Sequence, residues 1–336
     1  MYNLNKPQLN KKLKHFINYV IGPILFVWFS VSIYHQIINQ KDFLKTWTNI
    51  QNNFSTQEWM YCGLVFLLMF VNWGLETRKW QILIKSIQEV KFLTAFKAVF
   101  SGQAFALNTI NNLGEYVGRV LFLNDGNRLR AISLTMVGSM SQVIVTFVMG
   151  AVSLFLARVL FSEQGMGDGG LNAFWYNGLM FVLVTCTILL IMIYYSLSWV
   201  TKAVEKISFV KKYAFLIQKV EEFTHKELSK VLLYSLVRYA VFVIQYLILL
   251  HVFQVEANLL LLILMICIVF LILAIVPTIA LTELGLRGQV SILMLGMVST
   301  NTAGIVFTAT AIWCINRAFP ALAGSLFIIG VKLFKR

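Results

Sequence analysis

The chain has 336 residues, 59% hydrophobic and 12% charged, with a net charge of +14 and a mean hydropathy of +0.77. Soluble globular chains carry about 25% charged residues, so this composition excludes a soluble fold and predicts an all-α protein that crosses a membrane several times. Its aspartates (Asp42, Asp125, Asp168) and histidines (His15, His35, His225, His251) are scattered, which argues against a metal centre, a cofactor or an enzyme.

Cys62, Cys186, Cys267 and Cys314 fall far apart inside apolar segments and read as small core hydrophobes. The positive charge is read as topology and contact with anionic lipid headgroups, not as nucleic-acid binding.

In chain order, residues 1–15 form a basic segment (Lys6, Lys11, Lys12, Lys14) ahead of a first apolar run at 16–37. No small-residue cleavage site follows, so 16–37 is expected to be an uncleaved membrane helix. Further spanning helices are expected at 59–75, 131–160, 175–197, 231–253 and 303–330, each long enough for about 30 Å of hydrocarbon given tilt or a short extension. Asn72, Trp73, Glu76 and Arg78 are read as marking the membrane interface. A basic amphipathic stretch at 198–230 is expected to lie on the cytoplasmic surface. The whole of 1–336 reads as one integral membrane domain with about six spanning helices.

Basic residues concentrate in 1–15, 77–97, 198–230 and the C-terminal Lys332, Lys335 and Arg336. Residues 161–174 and 254–258 carry none, and Arg158 is a minor exception at an outer helix end. Both termini are therefore expected to be cytoplasmic. Under that assignment 94–123 must enter and return on the cytoplasmic side, and 256–297 must do so from the opposite side. Two re-entrant helical hairpins follow from charge counting.

The first broken segment centres on Asn108-Thr-Ile-Asn111-Asn112-Leu-Gly114-Glu115-Tyr-Val-Gly118-Arg119, the second on Pro277-Thr278-Ile-Ala-Leu-Thr282-Glu283-Leu-Gly285-Leu-Arg287-Gly288. Each carries a Glu and, four residues on, an Arg, which meet on one helical face. Glu115 and Glu283 lie 168 residues apart, half the chain, which suggests an inverted repeat. Charges at bilayer depth cost about 2.5–3.5 kcal/mol each, and broken helices meeting at mid-membrane are a recurrent transporter plan. The competing reading is local: Asn112 and Glu115 as a capping box, and Thr282 as the cap of a helix starting at Glu283. Two further arginines stand in apolar helices. Arg238 is near enough to a helix end to snorkel, whereas Arg317 is central and calls for a partner or a ligand. Four arginines against two glutamates leave a surplus of two positive charges, suited to a lipid phosphate.

On these two Glu/Arg motifs the chain resembles the transmembrane flippase domain of lysylphosphatidylglycerol synthases, over nearly its whole length. The resemblance implies movement of an aminoacylated or other anionic phospholipid between leaflets of a bacterial inner membrane. Synthesising relatives carry a further soluble domain, so synthase activity is expected to belong to a separate lipid-modifying enzyme. By residue the resemblance covers Glu115, Arg119, Glu283 and Arg287.

The expected substrate-binding set is thus Asn108, Asn112, Glu115, Arg119, Arg238, Glu283, Arg287 and Arg317. The substrate is expected to be a membrane lipid, handled without covalent catalysis. No GxxxxGK[ST] motif is present, so transport would draw on a gradient or on downstream consumption, with Glu115 or Glu283 as the candidate proton carrier. The alternatives are a membrane enzyme acting on polyprenyl-linked sugars and a non-transporting scaffold.

Overall fold

The computed structural model describes residues 31, 48, 55–107, 109, 112–163, 173–197, 201, 218–277 and 280–329. The expected first helix at 16–37, the N-terminal basic segment, Asn108, most of 198–230 and the C-terminal basic residues lie outside the described residues. Among the described residues the chain is helical throughout, and it is a multi-pass membrane protein with five helices long and apolar enough to cross a bilayer.

The first described helix, α1 (Thr56–Ile84), starts at Ser55, whose side chain accepts from Gln57 N and pairs with Glu58 in a capping box. It runs well past the expected end at residue 75. Asn72, Trp73 and Glu76 are buried within it, so these residues do not mark an interface. Hydropathy ends the segment too early because Glu76, Arg78 and Lys79 look like loop charges, whereas Glu76 and Lys79 find partners inside the bundle.

α2 (Phe92–Ala106) and α3 (Gly114–Val120) form the first hairpin. At about 22 Å and 10 Å neither crosses a bilayer alone. The hairpin returns to where it entered: Asn127 Nδ2 donates to Ile87 O at 3.0 Å, and Asn124 N donates to Gln88 Oε1 at 3.1 Å. α4 (Arg128–Glu163) and α5 (Ala173–Tyr195) then cross in turn. α5 stands at the periphery with Phe174, Trp175 and Phe181 exposed, as lipid contact requires.

α6 (His225–Val252) opens on a Thr224–Glu227 capping box and lies antiparallel to α1. Their register is fixed by Gln245 Nε2 donating to Val65 O at 2.9 Å, Arg238 Nε to Asn72 Oδ1 at 2.8 Å, and Lys79 Nζ to Ser235 Oγ at 3.3 Å.

α7 (Leu259–Ile275) and α8 (Ala280–Leu295) form the second hairpin, which is pinned shut like the first. Asn301 Nδ2 donates to Phe253 O and Gln254 O at 3.0 and 2.9 Å, while its Oδ1 caps the next helix through Gly304 N. That helix, α9 (Thr302–Trp313), continues through a π turn (Cys314–Ala318) into α10 (Phe319–Ile329).

Because α1 and α6 are antiparallel, a hairpin leaving the C-terminal end of α1 and one leaving the C-terminal end of α6 approach from opposite ends of the bundle. The close helix contacts rest on small residues. A Cβ at Gly324 would lie 1.9 Å from Phe100 O, so α10 and α2 touch backbone to backbone; likewise one at Gly118 would lie 2.4 Å from Ser101 O within the first hairpin. The opposite entries predict that exposed Glu89 and Glu256, replaced singly by cysteine, react with an impermeant thiol reagent from opposite faces of the membrane. Reaction of both from one face would contradict this topology.

Candidate functional site

The tip of the first hairpin depends on three glycines and a tight turn. Gly102, Gly114 and Gly118 let α3 lie directly on α2. Asn112 adopts a left-handed φ of 60°, which asparagine tolerates better than most residues. Gly114 N donates to Thr109 Oγ1 at 2.7 Å. The start of α3 is therefore held by Thr109, not by an Asn112–Glu115 capping box, and Glu115 pairs with Arg119 instead. In the second hairpin α8 begins at Ala280, so Thr282 lies inside its first turn and is not the cap.

Glu76 is the hub the sequence did not single out. Its carboxylate meets Lys79 at 2.8 Å, Arg119 at 2.8 Å and Arg238. The same Arg119 guanidinium also meets Glu115, so α1, α3 and α6 are joined through two carboxylates and three cations. Arg238 does not snorkel: it is buried, bonded to Asn72 and Glu76, and sits 5.4 Å from the Trp73 ring centroid. Lys79 additionally donates to Gly138 O and Ser235 Oγ. Charges this deep persist only when each has such partners.

A second cluster is smaller. Glu283 accepts from Arg287 at 3.0 Å, and Arg317 Nε stands 3.7 Å from the same oxygen. Arg317 lies on the π turn, where Phe319 N–H reaches back five residues to Cys314 O. Pro320 follows immediately and lacks an N–H, which favours a widened turn at this point. From there Arg317 Nη1 donates to Gln103 Oε1 of the first hairpin at 2.8 Å.

The hairpin tips meet here. Leu107 of the first, Leu284 of the second, and Trp313, Ala318 and Ala321 share one apolar cluster. Beside it lies a cavity of about 520 Å³. Glu76 and Lys79 of α1, Asn112 and Glu115 of the first hairpin, Arg238 of α6, Glu283 and Arg287 of the second hairpin, and Arg317 all line it. Part of its wall is apolar, from Phe242, Phe270, Leu273 and Val276.

Six of the eight residues expected from the sequence thus line one cavity. Asn108 lies outside the described residues, and Arg119 sits behind the wall, committed to Glu76 and Glu115. The charge count is also revised: Glu76 and Lys79 join the set, giving five cations and three carboxylates. The surplus of two is unchanged, but it now divides as one positive charge in each cluster. Gln103 and Asn316 are further polar lining residues with no charge to reveal them in the sequence; Asn316 is buried, and its Oδ1 has no partner among the described residues.

Among the described residues no group of His, Cys, Asp and Glu is arranged to hold a metal ion. No curated protein and no solved structure matches the chain. A family model described as the lysylphosphatidylglycerol synthase TM region matches residues 17–324. With the match covering nearly all of the chain, this protein belongs to the lysylphosphatidylglycerol synthase transmembrane-region family.

Proposed function

We propose that the protein is a lipid transporter of the flippase type, which takes an anionic phospholipid headgroup into the cavity between the two hairpins. The observation that carries this reading is the second cluster, where two guanidiniums share the single carboxylate of Glu283. A phosphodiester anion supplies the missing charge and accepts the paired N–H groups that an arginine presents. Phe242, Phe270, Leu273 and Val276 give the acyl chains an apolar wall while the headgroup occupies the polar one. Hairpins entering from opposite ends suit alternating exposure of such a site.

In this reading the end carrying Lys85, Lys91, Arg128 and Arg130 is cytoplasmic and rests on anionic headgroups. The membrane is a bacterial inner membrane and both chain ends are cytoplasmic. Arg119 acts through Glu76 and Glu115 as a positioning residue. Asn112, Glu115, Arg238, Glu283, Arg287 and Arg317, with Asn108, form the substrate-binding set.

The test is the lipid that co-purifies in mild detergent, measured by mass spectrometry. Anionic phospholipid enriched over the bulk membrane in the wild type, and reduced to bulk proportion in Arg317→Gln, is the expected result. A wild-type lipid profile identical to the bulk would contradict the binding reading.

A further inference from the structure

The five cations around the cavity are not held equally. Arg119 has two carboxylates, Arg238 has Glu76 and the Asn72 carbonyl oxygen, and Lys79 has Glu76 with two further acceptors. Arg287 keeps Glu283 at 3.0 Å. Arg317 alone of the five has a neutral group as its shortest contact: Gln103 Oε1 at 2.8 Å, with Glu283 beyond hydrogen-bond distance at 3.7 Å. Its side chain is also the most exposed of the five, at 24%.

Gln103 lies one turn before the break in the first hairpin, 2% exposed, and lines the cavity beside Arg317. Its backbone is fixed from two sides. Gln103 O accepts from Leu107 N, and the adjacent Gly102 abuts Glu115 and Arg119. A carboxamide here orients the guanidinium through one hydrogen bond without cancelling its charge. A carboxylate of the same shape would cancel it. The chain Gln103–Arg317–Glu283 is moreover a polar bridge from the first hairpin to the second.

We propose that Gln103 is a positioning and selectivity residue. It holds Arg317 ready as a charge-neutral resting partner and yields it to the phosphate anion of the substrate, which breaks the bridge between the two hairpins. An anion offers Arg317 charge-assisted bonds in place of one amide bond and a long ion pair, so the exchange favours the loaded state. The proposal rests on the anionic-headgroup reading above and adds the residue that keeps Arg317 available to it.

Two near-isosteric substitutions separate this role from a structural tie, because the two roles predict opposite patterns. Equilibrium binding of soluble dihexanoylphosphatidylglycerol, and separately of inorganic phosphate, is measured on the full chain in detergent by titration calorimetry. Thermal midpoints are recorded alongside to show that each variant is folded. Gln103→Glu is expected to weaken binding by about tenfold or more, because its carboxylate competes with the anion for Arg317. Gln103→Met removes the resting partner and is expected to bind as tightly as wild type or tighter.

That pattern with the lipid alone supports the proposal for a lipid headgroup, and the same pattern with inorganic phosphate supports it for the phosphate anion itself. Wild-type affinity in Gln103→Glu, or lost binding in Gln103→Met, overturns it. Failure of the wild type to bind either probe overturns instead the anionic-headgroup reading on which it rests.

Discussion

Replacing Glu76 by glutamine is expected to destabilise the protein by about 3–5 kcal/mol, the cost of removing one partner from a buried ion pair. Lys79, Arg119 and Arg238 all converge on this carboxylate. Without its charge, Arg238 keeps neutral acceptors, the Asn72 oxygen and a long contact to Gln142, and the Trp73 and Phe242 rings. Glu115, bonded to Arg119, is then the one carboxylate left in a cluster of three cations. The measurement is the thermal unfolding midpoint in detergent, read for Glu76→Gln, Arg238→Gln and the double variant. The double variant is expected to lose less than the two singles together, because the second substitution removes one of the charges that the first leaves unpaired. A wild-type midpoint in Glu76→Gln would show that the three cations do not depend on it.

Arg317→Gln is expected to act in the opposite way, on transport rather than on the fold. Glu283 keeps Arg287, and Gln103 at the cavity wall loses one donor to its neutral oxygen, so the midpoint should change little. A hydrogen bond to a charged group contributes about 1.5–3 kcal/mol, so the translocation rate should fall by about 10- to 100-fold. Arg317→Lys should lie between, because it keeps the charge but loses the planar fork. Equal loss of midpoint and rate in Arg317→Gln would recast this residue as a structural tie.

The contrast between these two residues explains what the sequence could disclose. Arg238 and Arg317 interrupt apolar helices, and an isolated charge at that depth announces itself. The hairpins were legible because basic residues flank one and are missing around the other, and the antiparallel pair α1 and α6 brings them in from opposite ends of the bundle. Glu76 gave no such signal. It sits at the end of an apolar run beside Arg78 and Lys79, and only Arg119 and Arg238, brought in by α3 and α6, turn that charged stretch into helix interior. Capping chemistry misled for a related reason. Asn112 and Glu115 have capping-box spacing, yet a hydroxyl from Thr109 reaches Gly114 N first, because the hairpin turn folds back on itself. Gln103 is uncharged and lies in an unremarkable helix, so its meaning appears only once Arg317 is placed against it.

The most direct test of the account is translocation of fluorescent phosphatidylglycerol in liposomes that contain the purified protein. Acceleration over empty liposomes, reduced by 10-fold or more in Arg317→Gln at an unchanged thermal midpoint, is about what the two-guanidinium site requires. Liposomes in which phosphatidylglycerol, its lysyl ester and phosphatidylethanolamine all cross no faster than in the empty controls would contradict it.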